Sequence, residues 1–377
     1  MRIGLIRYVG LAGPCLALGL VLFGRSWALD SEFSGQLSGW VSAVEVQREW
    51  EHHLGLRYIP QISLRKPWTG DSFVDAELSV NVAASGGSLD SFEDSSLRLY
   101  RAKLRCVTPR TETRVGLQKI NFGPARLLRS LRWFDRLDPT DPLGLTDGVN
   151  ALRFKYSAQD NANIWLWALY GNDDPKGYER QPSAPEAPEF GGRYQHPVGQ
   201  GELACSAHSR RVDGRALGLP DFTENRLALD GQWDVGIGLW FEAAFQHQDA
   251  PGLALDWTRM ITLGGDYTFD MGNGLHVVAE HMFATASERA FGREEESAFS
   301  AFSLDYPIGL LDSLTAMGFY SWEQEAWYQH LTWRRTYDRL VLNLSIFHSF
   351  DPAASGVGFG GLAMGGSGLQ FMVVFNH

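Results

Sequence analysis

Short stretches in which apolar and polar residues alternate recur from about Phe33 to Phe375, and no other feature of the chain restricts its fold as much. Over residues 74–82 the odd positions are Asp75, Glu77, Ser79 and Asn81, and every even position is apolar. Successive side chains on a strand point to opposite faces, so each stretch makes a strand with one greasy face and one wet face. A soluble sandwich produces the same pattern, with the greasy face turned to a dry core. The first residues of the chain decide between the two.

Residues 1–28 have the layout of a secretory signal. Arg2 and Arg7 form a charged start, residues 9–23 an apolar run, and Ser26-Trp27-Ala28 a small-x-small cleavage site. A lipid anchor at Cys15 is disfavoured, because apolar residues continue well past it. Beyond the signal no segment approaches the ~18–20 consecutive apolar residues of a spanning helix. A membranous mature chain must then be a closed barrel, which alone satisfies every backbone group within a sheet. The expected division is a signal peptide over 1–28 and a transmembrane antiparallel β-barrel, all-β, over 29–377.

Eighteen alternating stretches run from 33–46 to 367–375, and the pair at 190–198 and 201–210 is the weakest. Counting that pair as two strands makes every even-numbered link tight, as at residues 108–110, 159–161 and 271–274, and most odd-numbered links longer. Short turns on one side and long loops on the other are the habit of bacterial barrels. Eighteen strands are therefore expected, with sixteen as the fallback.

Removing Arg2, Arg7 and Arg25 with the signal, and no acid, takes the formal charge from -11 to about -14, which speaks against nucleic acid as a partner. Only Cys106 and Cys205 remain in the mature chain, without CxxC or CxxCH, so no metal, haem or other cofactor is expected. The ten histidines lack metal-ligand spacing, and G-x-S-x-G and HExxH are absent. Ser206 and His208 share a strand face, as any two residues i and i+2 do, and the chain is not expected to be an enzyme.

The third long loop, about residues 122–148, is too apolar for a solvated connection. Leu127, Leu128, Leu131 and Phe134 follow helical spacing, while Arg126, Arg129 and Arg132 recur every three residues; this predicts a short helix stopped by Pro139 and Pro142. Folded inward, the loop would bury its apolar side on the wall and turn its arginines to the lumen. Pairing of those arginines with Asp135, Asp138, Asp141 and Asp147, which would only pin the loop, is the alternative. Adjacent strands place Arg101, Lys103, Arg105, Arg114, Arg153 and Lys155 on the polar face. Asp75, Glu77, Glu202, Asp230, Glu242, Asp266 and Glu280 supply opposing lumen acids. Charged rings of this kind set ion selectivity.

Residues 118–125 (Gln-Lys-Ile-Asn-Phe-Gly-Pro-Ala), 133–142 (Trp-Phe-Asp-Arg-Leu-Asp-Pro-Thr-Asp-Pro) and 148–153 (Gly-Val-Asn-Ala-Leu-Arg) resemble the third-loop region of porin-like outer-membrane barrels of Gram-negative bacteria. The closing run, residues 369–375, is similar to the aromatic-ended last strand of such barrels, but Asn376 and His377 extend past it. The resemblance implies an outer-membrane channel for small hydrophilic solutes, and the basic cluster points to anions. Its partners would be outer-membrane lipid or lipopolysaccharide and polar solutes, with a homo-oligomer left open. Two rival readings remain: a scaffold sheathing a periplasmic or threaded partner such as a multihaem cytochrome, and an exporter of polysaccharide. A third loop folded inward would block a threaded protein.

Overall fold

The computed structural model describes residues 29–46, 48–88, 91–349 and 366–377. The expected secretory signal over 1–28, with Cys15, lies outside them, as do residues 350–365. Eighteen strands form one sheet: β1 (Asp30–Val46), β2 (Glu49–Pro67), β3 (Phe73–Ser88), β4 (Ser91–Val107), β5 (Thr111–Gln118), β6 (Val149–Ser157), β7 (Asn163–Leu169), β8 (Glu189–Val198) and β9 (Gly201–Val212), then β10 (Phe222–Asp234), β11 (Gly238–Asp249), β12 (Trp257–Phe269), β13 (Leu275–Ser287), β14 (Glu295–Pro307), β15 (Asp312–Ser321), β16 (Ala326–Thr336), β17 (Leu340–Ser349) and β18 (Ser367–Asn376). Each strand pairs antiparallel with its sequence neighbours, and β1 pairs with β18, so the sheet closes without an edge. The weak pair stands as the two strands β8 and β9.

The alternation sorts the two faces. Phe33, Leu37, Val41, Leu227, Leu229, Leu239, Leu263, Ile346, Leu369 and Phe371 are exposed on the outside, where a membrane would cover them. Cys205 is exposed on that face, and both cysteines are free. Tyr267, Trp322, Trp327 and Tyr337 stand exposed near strand ends, the placing of interfacial girdles. At one position the alternation is reset. A bulge at Tyr100 lets Ser79 pair with Arg101 and Val80 with Leu99, so Arg98 before it and Arg101, Lys103 and Arg105 after it all face the lumen.

Asn376 and His377 belong to the closing seam. The N–H of Gly35 donates to the His377 carbonyl at 2.9 Å and the N–H of His377 donates back at 3.0 Å. The His377 ring lies 5.5 Å from that of Phe33 and 5.9 Å from that of Tyr58. The two residues beyond the aromatic end thus lengthen the ladder that shuts the barrel.

The links alternate as expected, with two differences: β1 and β2, and likewise β3 and β4, are separated by only two residues. The third loop also departs from expectation. It contains no helix, and among the described residues the one helical element is a single 3-10 turn at Arg215–Leu217.

Candidate functional site: two loops folded into the lumen

The third loop crosses the barrel interior, and its apolar residues bury themselves as their spacing suggested. Ile120, Phe122, Leu131, Trp133 and Phe134 pack with wall residues Val149, Ala151, Trp167, Leu169, Ala228 and Ala244 in one dry cluster. Phe122 stacks on Trp167 with ring centres 5.6 Å apart, and Trp133 and Phe134 meet Phe122 edge-on. Farther round the wall, Leu128 sits among Met282, Phe299, Ala301 and Phe319. Each large side chain so buried contributes about 1.5–3 kcal/mol relative to exposure.

The absence of a helix has a physical cause. A loop at this depth must satisfy its amides without water, and two wall carboxylates supply acceptors that a helix would have found four residues back. Glu280 accepts from the backbone N–H groups of Arg126 at 2.6 Å, Leu127 at 2.9 Å and Leu128 at 2.5 Å, and from Trp240 Nε1 at 3.0 Å. Glu242 accepts from Ala125 at 3.0 Å and Leu131 at 2.9 Å. Both glutamates are buried. Gly123, at φ 91°, lets the chain reach Glu242, since a Cβ there would stand 2.2 Å from Oε1. Thr262 Oγ1 donates to the Leu128 carbonyl at 2.6 Å. The expected lumen acids Glu242 and Glu280 therefore hold loop backbone.

The three loop arginines have separate fates. Arg126 is half exposed, 2.8 Å from Asp266, with its guanidinium 4.9 Å from the Trp240 ring centre. Arg129 is buried and bonds Asp135 at 2.7 Å. Arg132 is buried over the Tyr178 ring at 4.4 Å, and burial pushes its pKa down and the Tyr178 hydroxyl's up. Pinning by Asp135 is thus real for Arg129. Asp138 and Asp141 cap turns instead, Asp138 accepting from Thr140 and Asp141 from Leu143 and Leu145.

The basic strand residues form one wall. Lys103 meets Glu77 at 2.8 Å and Arg105 meets Asp75 at 2.7 Å. Arg105, Arg114 and Arg153 converge on Glu112, at 3.7 Å and 2.9 Å for the first two. Lys155 lies 5.5 Å and Arg153 5.0 Å from the Trp165 ring centre. Arg101 is buried and donates to the Thr146 carbonyl at 2.8 Å, tying the end of the third loop to β4. Lys119, at the loop's start, is half-buried; desolvation lowers its pKa, Asp135 raises it, and nearby Arg129 and Arg101 lower it further.

Sequence reasoning missed the fourth loop, residues 170–188, which also turns inward. Lys176 and Glu179 are buried with Glu189, His208, Arg210, Glu224 and Arg226. Glu179 reaches Arg226 at 2.8 Å and Arg210 at 3.2 Å, Lys176 reaches Glu189 at 2.9 Å, and Glu224 reaches Arg210 at 2.7 Å. Glu202 accepts from Gln232 at 2.8 Å, and Asp230 holds Arg193 at 2.5 and 2.7 Å. A signal was present: β6, β7, β10 and β11 carry Val149, Ala151, Leu169, Ala228 and Ala244 on the face that is polar elsewhere, which marks a covered patch. Ser206 and His208 do not make a nucleophile and base. Ser206 accepts from Arg193 at 3.1 Å, while His208 takes Trp167 Nε1 on Nδ1 and Glu189 on Nε2, each at 3.1 Å.

No protein-family model matches the sequence, and no curated protein does. Solved structures do match in fold. OccK8 (OprE) of Pseudomonas aeruginosa superposes with a TM-score of 0.58 at 11% identity, covering 92% of this chain and 98% of that one. The chain has the fold of the outer-membrane porins. OccAB1 of Acinetobacter baumannii gives 0.56 at 10% identity over 93% of this chain and 96% of that one. An anion-selective porin from Comamonas acidovorans gives 0.53 at 12% identity over 93% and 100%. At such identities the likeness is one of architecture.

Proposed function

We propose that the protein is a passive diffusion channel of the outer membrane, passing small hydrophilic anions along a basic wall. The observation that carries this is the charge on β3–β6. Lys103, Arg105, Arg114 and Arg153 share three carboxylates, Asp75, Glu77 and Glu112, while Arg101 turns to the Thr146 carbonyl and Lys155 to the Trp165 ring, so cations outnumber their acidic partners on this wall. Arg105 and Arg114 remain partly open to the lumen. In a narrow, low-dielectric passage such an excess raises the local concentration of anions. The net negative charge of the chain argues the other way, but acids such as Glu294, Glu295 and Glu296 stand exposed at the start of β14, screened beyond about 8–10 Å.

The named neighbours support the reading, one being called an anion-selective porin. Inward loops also favour a solute channel over a sheath for a threaded protein, because they occupy the bore. Arg126 is the loop arginine placed to act on a solute; Arg129 and Arg132 serve the loop's own fold.

The test is the reversal potential across a KCl gradient for Arg105→Ser with Arg114→Ser. Anion preference falls if the wall selects. Unchanged preference in a folded, conducting variant removes the basic wall from the account.

A further inference from the structure

Two charges of the fourth loop, Lys176 and Glu179, are buried among charges of the wall. Three cations, Lys176, Arg210 and Arg226, meet three carboxylates, Glu179, Glu189 and Glu224, with every side chain 5% exposed or less. Gln246 and Gln248 donate to the remaining oxygen of Glu224 at 2.9 and 2.7 Å. Charges buried this completely hold their positions only while all partners stay in place. Lys176 ties the loop to β8 through Glu189, and Glu179 ties it to β10, accepting from its own loop at Lys176 N, 2.9 Å away, and from Arg226.

This lock meets the third loop at one place. Tyr178 N–H donates to the Arg132 carbonyl at 3.2 Å, the Tyr178 ring lies under the Arg132 guanidinium, and Arg226 reaches toward the Trp133 carbonyl at 3.4 Å. Gly177, at φ 48°, permits the approach: a Cβ there would stand 2.0 Å from the Arg132 carbonyl oxygen. Beside this contact the crevice lined by Arg129, Arg132, Tyr178 and Phe319 has a volume of only about 10 Å3, room for one water.

We propose that the fourth loop is a buttress that sets the position of the third, with Glu179 and Gly177 as positioning residues for the constriction although neither is open to the lumen. The inference rests on the channel reading. The clamps of Glu242 and Glu280 end at Leu131 and the Arg101 tie lies at Thr146, so without the fourth loop the stretch 132–134 between them would rock toward the wall that this loop covers. The buttress removes that freedom and fixes the bore.

Glu179→Gln and Gly177→Ala, refolded and checked by a shift in gel migration between unboiled and boiled samples, are compared with the wild type in planar bilayers. The expected result is a conductance raised about two-fold, with greater open-channel noise, in both variants. Wild-type conductance and noise in folded variants overturn the proposal. Should Glu179→Gln fail to fold, Gly177→Ala, which leaves every charge in place, decides alone. A wild type that passes no current overturns the channel reading and the buttress together, a result distinct from unchanged variants in a conducting barrel.

Discussion

On the side of the barrel walled by β6–β13, the lumen face carries Val149, Ala151, Trp167, Leu169, Ala228 and Ala244, and two loops are packed against it. On the side walled by β17, β18 and β1–β5 the same face is mixed: beside Ile59, Met372 and Val374 it carries Gln36, Ser38, Arg57, Gln61, Asn343, Ser345 and the arginines and Lys103 of β4. Both sides obey one alternation and one hydrogen-bond ladder. What differs is whether the inward positions match a loop or water. The lesson is that a barrel of this size can hold a dry core inside its bore, and that charged residues mean different things on the two sides. Arg210 and Arg226 in the packed half are structural struts, whereas Arg105 and Arg114 in the open half stay partly exposed on the lumen face.

That comparison breaks most readily in the packed half. Arg210→Ala would leave three buried carboxylates, Glu179, Glu189 and Glu224, with only Lys176 and Arg226 among them, at about 3–5 kcal/mol. A large fall in the temperature at which the unboiled band disappears on gels is expected, and an unchanged temperature would show the network to be solvated. Leu131→Ala, which leaves a hole between the third loop and the wall, should cost about 2–5 kcal/mol by the same assay, with anion preference retained.

Next come the clamps. Glu280→Gln keeps size and loses charge, and its amide nitrogen would confront donors at Leu127 and Leu128 or at Arg126 and Trp240. About 1–3 kcal/mol is expected for the group left unpaired, together with noisier current. In the open half the signs reverse. Glu77→Gln frees Lys103 from a partly exposed pair of the kind worth about 0–1 kcal/mol, so stability should barely move while anion preference rises. A strong loss of stability there would erase the distinction between the halves.

The smallest effect expected is a pH dependence. Burial and nearby cations hold the Lys119 pKa below its ordinary value, so this lysine gives up its proton earlier than a solvated one as pH rises. Anion preference should therefore begin to decline on the alkaline side before ordinary lysines titrate, and Lys119→Met should remove that early decline.

The strands were legible because period-two alternation is a local property of sequence, and even the short pair β8 and β9 was recoverable from the parity of links. The inward third loop was legible for a related reason, since Leu128, Leu131 and Phe134 are too apolar for a solvated loop. Its conformation was not. Helical spacing records which residues are buried, but the acceptors for the loop amides come from Glu242 and Glu280, more than a hundred residues away. The fourth loop was hidden because Arg210, Glu224 and Arg226 on a lumen face look like pore-lining charges until Lys176 and Glu179 are seen to pair with them. The basic strand residues were visible by parity, but their sharing of Glu112 depended on the register of β4, β5 and β6.

The most direct measurement is the single-channel current of the refolded mature protein in a planar bilayer, with the reversal potential read across a KCl gradient. Steady conductance with a reversal potential displaced toward that of chloride is the predicted result. A silent barrel, or a displacement toward potassium, would contradict it.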